Sequence, residues 1–173
     1  GQLLPEGPLP VVISLERMAA LRGVYPDENV LVVDAGMILA DVQAHAAAAG
    51  RLFPLALASE GTCRIGGNLS TNAGGNRVIR YGMAREMVLG LEVVLADGTV
   101  MTSLNKMIKN NAGFDLKHLF IGSEGTLGVI TRIVLRLFPK PASTMVAMCA
   151  AKDYGTVLQI LSAARNGLGP TLS

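Results

Sequence analysis

Residues 58–75 read ASEGTCRIGGNLSTNAGG, with five glycines set among short hydroxyl and amide side chains and almost no bulk between them. Glycine removes the Cβ that would hold a ligand away from backbone N–H groups and opens positive φ at little steric cost. Ser59, Thr62, Asn68, Ser70, Thr71 and Asn72 add short donors. The only charges, Glu60 and Arg64, cancel. A polyanion here would be held mainly by oriented amides, not by a basic cluster. The stretch therefore reads as a loop that lets backbone approach a ligand. The competing reading is a plain run of turns, which the same composition also makes.

A second glycine run, Gly122–Thr131 (GSEGTLGVIT), spaces Gly122, Gly125 and Gly128 three apart and runs into a strand-like segment. A dinucleotide fingerprint of the nicotinamide type follows a strand and opens a helix, which is the opposite order. No phosphate-binding G-x-x-x-x-G-K-S/T motif occurs either.

Composition narrows the classes further. Half of the 173 residues are hydrophobic and 16% are charged, so a sizeable core can form. The apolar stretches are broken by Arg51, Glu92 or Asp97, and none reaches the roughly 18 residues of a membrane span. A net charge of +2 with no Lys/Arg block leaves no footprint for nucleic acid. The start, GQLLPEGPLP, has neither the basic region nor the cleavage site of a signal peptide. Cys63 and Cys149 lie far apart without metal-type spacing. Together these features give the expectation of a reducing, cytoplasmic location. Cys63 inside the glycine loop reads as a small buried side chain rather than a redox thiol.

Along the chain, Val11–Leu15 and Val30–Asp34 read as buried strands separated by a segment with Pro26 and Asp27. Ile38, Leu39, Val42, Ala46 and Ala49 follow helical spacing, with Gly50 placed to end the helix. Leu89, Leu91, Val93 and Leu95 alternate up to Asp97-Gly98, and Val100 resumes, which signals a hairpin. Leu127, Val129, Thr131, Ile133, Leu135 and Leu137 alternate against Arg132 and Arg136, as in a strand with one buried face. Residues 115–121 suggest a short helix. Pro139 and Pro141 mark a boundary, after which Thr144–Ala150 suggests a strand and Asp153 caps a helix carrying Val157, Ile160, Leu161 and Ala164.

Three segments, Ile65–Gly82 (IGGNLSTNAGGNRVIRYG), Val88–Val100 (VLGLEVVLADGTV) and Lys109–Thr131 (KNNAGFDLKHLFIGSEGTLGVIT), resemble the FAD-binding domain of vanillyl-alcohol-oxidase-type flavoproteins. They are most similar to the FAD-linked D-2-hydroxy-acid dehydrogenases, the group of the glycolate oxidase D-subunit and of D-lactate and D-2-hydroxyglutarate dehydrogenase. The likeness runs from about Val11 to the end. It implies an α+β, PCMH-type fold of two subdomains. Residues 1–56 would be the end of the first subdomain, 57–138 the second, and 139–173 a linker with the first strand and helix of a truncated substrate domain. Such proteins carry a Pro-Gly-Gly-rich pyrophosphate loop just upstream, whose trailing edge Gly1-Gln2 would be. The resemblance thus implies an internal slice of a longer flavoenzyme.

The resemblance also implies non-covalent FAD, with weak or no binding in so short a piece. Ala58, Ser59, Glu60, Thr62 and Ile65 would approach the flavin and pyrophosphate, with Gly66, Gly67 and Asn68 turning the backbone beside them. Thr71, Asn72, Gly74 and Gly75 would line the dinucleotide. Glu124, Gly125, Gly128, Val129 and Ile130 would face the ribose and adenine, although Val129 and Ile130 read equally well as sheet core. Arg77, Arg80 and Tyr81 could reach cofactor or a carboxylate, but so dense a set of arginines also suits structural roles. His45 and His118 read as surface or packing residues, so no residue is assigned catalysis and no metal site is expected. The implied reaction moves a hydride from Cα of a small-molecule D-2-hydroxy acid to flavin N5, giving a 2-oxo acid. Alternatives are aryl-alcohol-oxidase-like or alkylglycerone-phosphate-synthase-like chemistry, or a non-catalytic binding module. An oligomer is compatible with all of them.

Overall fold

The computed structural model describes residues 11–173. The reading of Gly1-Gln2 and of the GQLLPEGPLP start lies outside these residues. The sheet begins at β1 (Leu21–Tyr25), which turns at Pro26–Asn29 into β2 (Val30–Asp34). The turn closes with the Asn29 amide donating to the Pro26 carbonyl at 3.1 Å, and Asn29 takes a φ of 54°. Asparagine tolerates this left-handed conformation better than other non-glycine residues. Then come α1 (Leu39–Ala48), β3 (Arg51–Leu52), α2 (Ile65–Ser70), α3 (Val78–Tyr81) and a 3-10 turn over Ala84–Met87. The second half holds β4 (Val88–Val94), β5 (Val100–Ser103), α4 (Lys117–Phe120), β6 (Val129–Arg136), β7 (Phe138–Pro139) and α5 (Tyr154–Leu168).

Five strands form one antiparallel sheet in the order β1-β2-β6-β4-β5, and β3 pairs with β7 beside it. The α+β expectation holds. Because β2 lies directly against β6, residues on either side of position 57 share one sheet and one core. One face of that sheet packs Leu31, Val33, Leu91, Val93, Ile133 and Leu135 against Leu39 and Val42 of α1 and Ile65 and Leu69 of α2. Burying such side chains contributes about 1.5–3 kcal/mol each before the entropic cost of ordering them.

The opposite face carries a small cluster of Val30, Leu89 and Val134, and next to it a line of charge. Asp34, Arg132 and Glu92 sit opposite one another on β2, β6 and β4. Arg22 grips the Asp34 carboxylate with two hydrogen bonds of 2.9 and 2.8 Å. The Asp34 side chain is only 2% exposed. Burial pushes its pKa up, but the hydrogen bonds and charge of Arg22, aided by Arg132, prevail and hold it below the ordinary aspartate value.

Four sequence expectations are corrected. Val11–Leu15 forms no strand: Val11, Val12 and Ile13 are exposed and pair with nothing among the described residues, so neither ladder bonds nor a buried face stabilise extension. Thr144–Ala150 likewise forms no strand, and Met145, Val146 and Met148 project into solvent. Residues 58–75 are not all loop, since IGGNLS winds into α2. The long alternation in β6 changes phase, because opposite Glu92 and Val93 the ladder skips from Arg132 to Ile130. Thr131 is the extra residue of that bulge, and Ile130, rather than Val129 and Thr131, turns to the core beside Ile133.

Candidate functional site

The first glycine segment is joined to the rest of the protein at both ends. Its front half lies against the turn between β2 and α1. There the Ile65 amide donates to the Met37 carbonyl at 2.9 Å and the Gly66 amide to the Ala35 carbonyl at 2.8 Å. Residues 59–63 form a turn in which Ser59 accepts from the Thr62 and Cys63 amides. The carbonyls of Glu60 and Cys63 in turn accept from the Ala40 and Leu39 amides at the start of α1, groups that a helix leaves without partners of its own. Glu60 and Arg64 do not pair with each other. Gln43 donates to Glu60, whereas Arg64 donates to the Gly36 carbonyl and meets Glu16 at 3.1 Å.

The back half of α2 meets the second glycine segment. The Gly122 amide donates to the Leu69 carbonyl at 3.0 Å, and the Glu124 amide to the Ser70 carbonyl at 2.8 Å. Two stretches some fifty residues apart thus share one hydrogen-bonded seam. Sharp backbone turns line it, with Asn72, Gly122, Glu124 and Gly125 at φ of 48°, 87°, 53° and 80°.

The glycines divide into two kinds. A Cβ on Gly66 would lie 2.7 Å from the Ala35 Cβ, and one on Gly128 would lie 2.7 Å from Val93 Cγ1. A Cβ on Gly75 would meet the Ala56 carbonyl oxygen. These three are small because protein packs against them. Gly61, Gly67 and Gly125 are exposed and have no heavy atom within 4 Å of where a Cβ would stand. Gly74 is intermediate, its Cβ position 3.4 Å from Val78 Cγ1, an ordinary contact. The exposed residues Gly67, Thr71, Glu124 and Gly125 of the two joined segments make up the candidate floor. Ala58, Ser59 and Thr62 are exposed on the turn ahead of it, and Glu60 and Asn72 are half-buried. Ile65 is buried in the core, as is the side chain of Ile130, and Val129 is half-buried in the ladder opposite Val94.

Asn68 is 5% exposed, and its side-chain Oδ1 has no hydrogen-bond partner within the protein. Its Nδ2 lies 3.4 Å from Cys63 Sγ. A buried acceptor without a donor is unfavourable by about 1–3 kcal/mol, so a bound group or water is needed to complete it. Cavities of about 280 and 300 Å3 are lined by other residues, one by Arg85 and His118 among others, the other by Glu60 and Arg77 among others.

Sequence reasoning left the arginines undecided. Arg80 lies over the Tyr81 ring at 5.0 Å, and Arg77 is exposed. Arg85 donates to the carbonyls of His118 and Ile121, and its own amide donates to Asn72 Oδ1 at 3.1 Å. The His118 ring Nδ1 lies 2.9 Å from Asp115, which Lys117 also contacts. Among the described residues no group of three or more His, Cys, Asp or Glu is placed to hold a metal, and no helix is long and apolar enough to cross a membrane.

Residues 7–103, more than half of the chain, match the family described as FAD binding domain. The chain belongs to that family. Similar proteins include the mitochondrial D-2-hydroxyglutarate dehydrogenases of Bos taurus, 46% identical, and of Arabidopsis thaliana, 44% identical, each matched over 94% of this chain. D-2-hydroxyglutarate dehydrogenase of Xanthomonas citri pv. viticola is 42% identical over 90% of it. The chain spans only 30%, 29% and 33% of these three relatives. Among solved structures, an alkyldihydroxyacetonephosphate synthase superposes with a TM-score of 0.66 at 25% identity, covering 75% of this chain and 23% of that one. FAD is thus the cofactor of the family, and the relatives are named as dehydrogenases. The expectation of a cytoplasmic protein is overturned, because the cattle and Arabidopsis relatives are named as mitochondrial. Its premises, two isolated cysteines and no signal peptide, do not distinguish one reducing compartment from another.

The residues present fit a flavin dinucleotide. Gly67 and Gly125 leave an approach that a Cβ would fill, Asn68 Oδ1 awaits a donor, and no cationic cluster crowds the floor.

Proposed function

We propose that this chain supplies the FAD cradle of a dehydrogenase acting on D-2-hydroxy acids, with FAD held non-covalently. The observation that carries the reading is the seam between the two glycine segments, closed by Gly122 to Leu69 and Glu124 to Ser70. In this reading Gly67 and Gly125 admit the dinucleotide to the backbone, with Thr71, Asn72 and Glu124 beside it. Gly66, Gly75 and Gly128 shape the floor from behind. When bound, the flavin accepts the hydride that leaves Cα of the hydroxy acid as the 2-oxo acid forms. The chain's own part is to place the nucleotide and to exclude water from one side of it.

The identities to D-2-hydroxyglutarate dehydrogenases favour that substrate class over the synthase chemistry of the structural neighbour. Residues 1–138 form the FAD-binding part in this proposal, and 139–173 the approach to a further domain. The support is that among the described residues none beyond Pro139 is fully buried, and Val157, Leu158, Ile160 and Leu161 of α5 are exposed. The test is titration of the purified chain with FAD, followed by flavin fluorescence. Binding weaker than about 1 μM, without turnover of D-2-hydroxyglutarate or D-lactate with a dye acceptor, is expected, since one wall of a cleft buries little ligand surface. Absence of any saturable FAD binding would overturn the cradle, and submicromolar binding would overturn the incomplete cleft.

A further inference from the structure

We propose that Arg85 is a positioning residue that holds the two glycine segments at the spacing of the cradle, acting through backbone rather than through the cofactor; this rests on the flavin reading above. A closed circuit of hydrogen bonds carries the inference. The Leu69 carbonyl accepts from both the Gly122 amide at 3.0 Å and the Asn72 amide at 2.9 Å. Asn72 Oδ1 accepts from the Arg85 amide, and the Arg85 guanidinium reaches across to the carbonyl of Ile121, the residue just before Gly122. A second guanidinium nitrogen donates to the His118 carbonyl at 2.8 Å, in the last turn of α4 where helical carbonyls lack partners. The circuit thus runs Leu69, Asn72, Arg85, Ile121, Gly122 and back to Leu69, with one cation fastening the far side.

The chemistry selects arginine. A planar guanidinium presents several donors in a fixed fork and can satisfy two carbonyls at once, whereas an ammonium is a point charge on a flexible stem. With both carbonyls engaged, Arg85 turns its charge toward α4 and Ile121. The guanidinium lies 3.4 Å from where a Gly122 Cβ would stand, so it backs the turn that starts the second segment. Asn72 is the other fixed point. At φ 48° its backbone is left-handed, and its side chain anchors the Arg85 amide.

The test substitutes Arg85→Met and Arg85→Lys in this chain and reads two quantities, hydrogen exchange of the 119–126 peptide without FAD, and FAD affinity. Asn72→Gly is made in parallel and read by exchange, because glycine keeps the left-handed backbone while removing the acceptor of the Arg85 amide, so the test survives if Arg85→Met folds poorly. In Arg85→Met and Asn72→Gly the Gly122 and Glu124 amides should exchange about tenfold faster or more, with α1 unchanged. FAD affinity should fall about tenfold, with Arg85→Lys in between. Unchanged exchange at Gly122 and Glu124 overturns the positioning role whatever FAD does. Faster exchange with undiminished FAD affinity overturns its relevance to the cradle. A wild-type chain that takes up no FAD, while the variants still lose protection, overturns the flavin reading and supports the circuit.

Discussion

Gly67→Leu separates a glycine needed by the fold from one needed by a ligand. Gly67 lies inside α2, with ordinary helical φ, and no heavy atom stands within 4 Å of its Cβ position. A Cβ therefore meets no clash, the exposed site leaves the rest of a leucine side chain to solvent, and replacing glycine in a helix interior with a good helix former gains roughly 0.5–1 kcal/mol. In a chain of this size that corresponds to a melting temperature higher by about 1–4 °C. If FAD lies over α2, the same side chain occupies the path of the nucleotide, and affinity should fall at least about tenfold, or ~1.4 kcal/mol. Stability and binding thus move in opposite directions, which general damage to the fold cannot imitate. Differential scanning fluorimetry of the FAD-free protein gives the first sign, and flavin fluorescence titration gives the second. Equal FAD affinity in Gly67→Leu and wild type would refute the approach over α2. A fall in melting temperature of the free protein would refute the open space at Gly67.

Gly66→Ala is the counterpart: its Cβ would sit 2.7 Å from Ala35 Cβ and 2.9 Å from the Ala35 carbonyl oxygen, both in the core layer. It should cost about 1–3 kcal/mol of stability, seen as a lower urea midpoint. Asp34→Asn should lower the melting temperature at pH 7 by several degrees. Because the folded carboxyl titrates below its unfolded value, its stabilisation is complete above about pH 4 and is lost as pH falls through the folded pKa. Between pH 5 and pH 3 the wild type should therefore lose melting temperature more steeply than Asp34→Asn. Asp153→Ala removes the acceptor of the Thr156 amide and hydroxyl at 2.7 and 2.9 Å. Since α5 buries no side chain, circular dichroism should show reduced helix content at constant tertiary signal.

Much of the fold was legible wherever the signal is local. The helix Leu39–Ala48 stops at Gly50, whose φ of 68° is the left-handed geometry that ends helices. The β4–β5 hairpin turns at Asp97-Gly98, with Gly98 at φ 84° and Asp97 accepting from the Thr99 amide. Asp153 caps α5 as its position before a helical pattern suggests. What escaped depends on partners distant in sequence. Leu21–Tyr25 has too little alternation to announce β1, and it becomes a strand only because β2 offers an edge. Val11–Leu15 has more β-branched character and finds no such edge among the described residues. The bulge at Thr131 is set by β4, so no reading of β6 alone could locate the change of phase. The Asp34, Arg132 and Glu92 line is likewise a product of register, three charges from three strands separated by up to ninety-eight residues.

The candidate site shows the same division at finer scale. Glycine enrichment singled out both segments, and the structure joins them, but composition could not tell an open glycine from a packed one. That distinction is made by what lies behind each Cα: Ala35 for Gly66, Ala56 for Gly75, Val93 for Gly128, and empty space for Gly67 and Gly125. The packed glycines let α2 and the second segment settle closely against the sheet, with the seam at Leu69 and Ser70 fixing their mutual position. Gly67 and Gly125, with nothing behind a Cβ, are left exposed to solvent. In the proposed cradle more glycines would serve the fold than would touch the ligand, and substitutions in the two sets should fail differently, one set in folding and the other in binding.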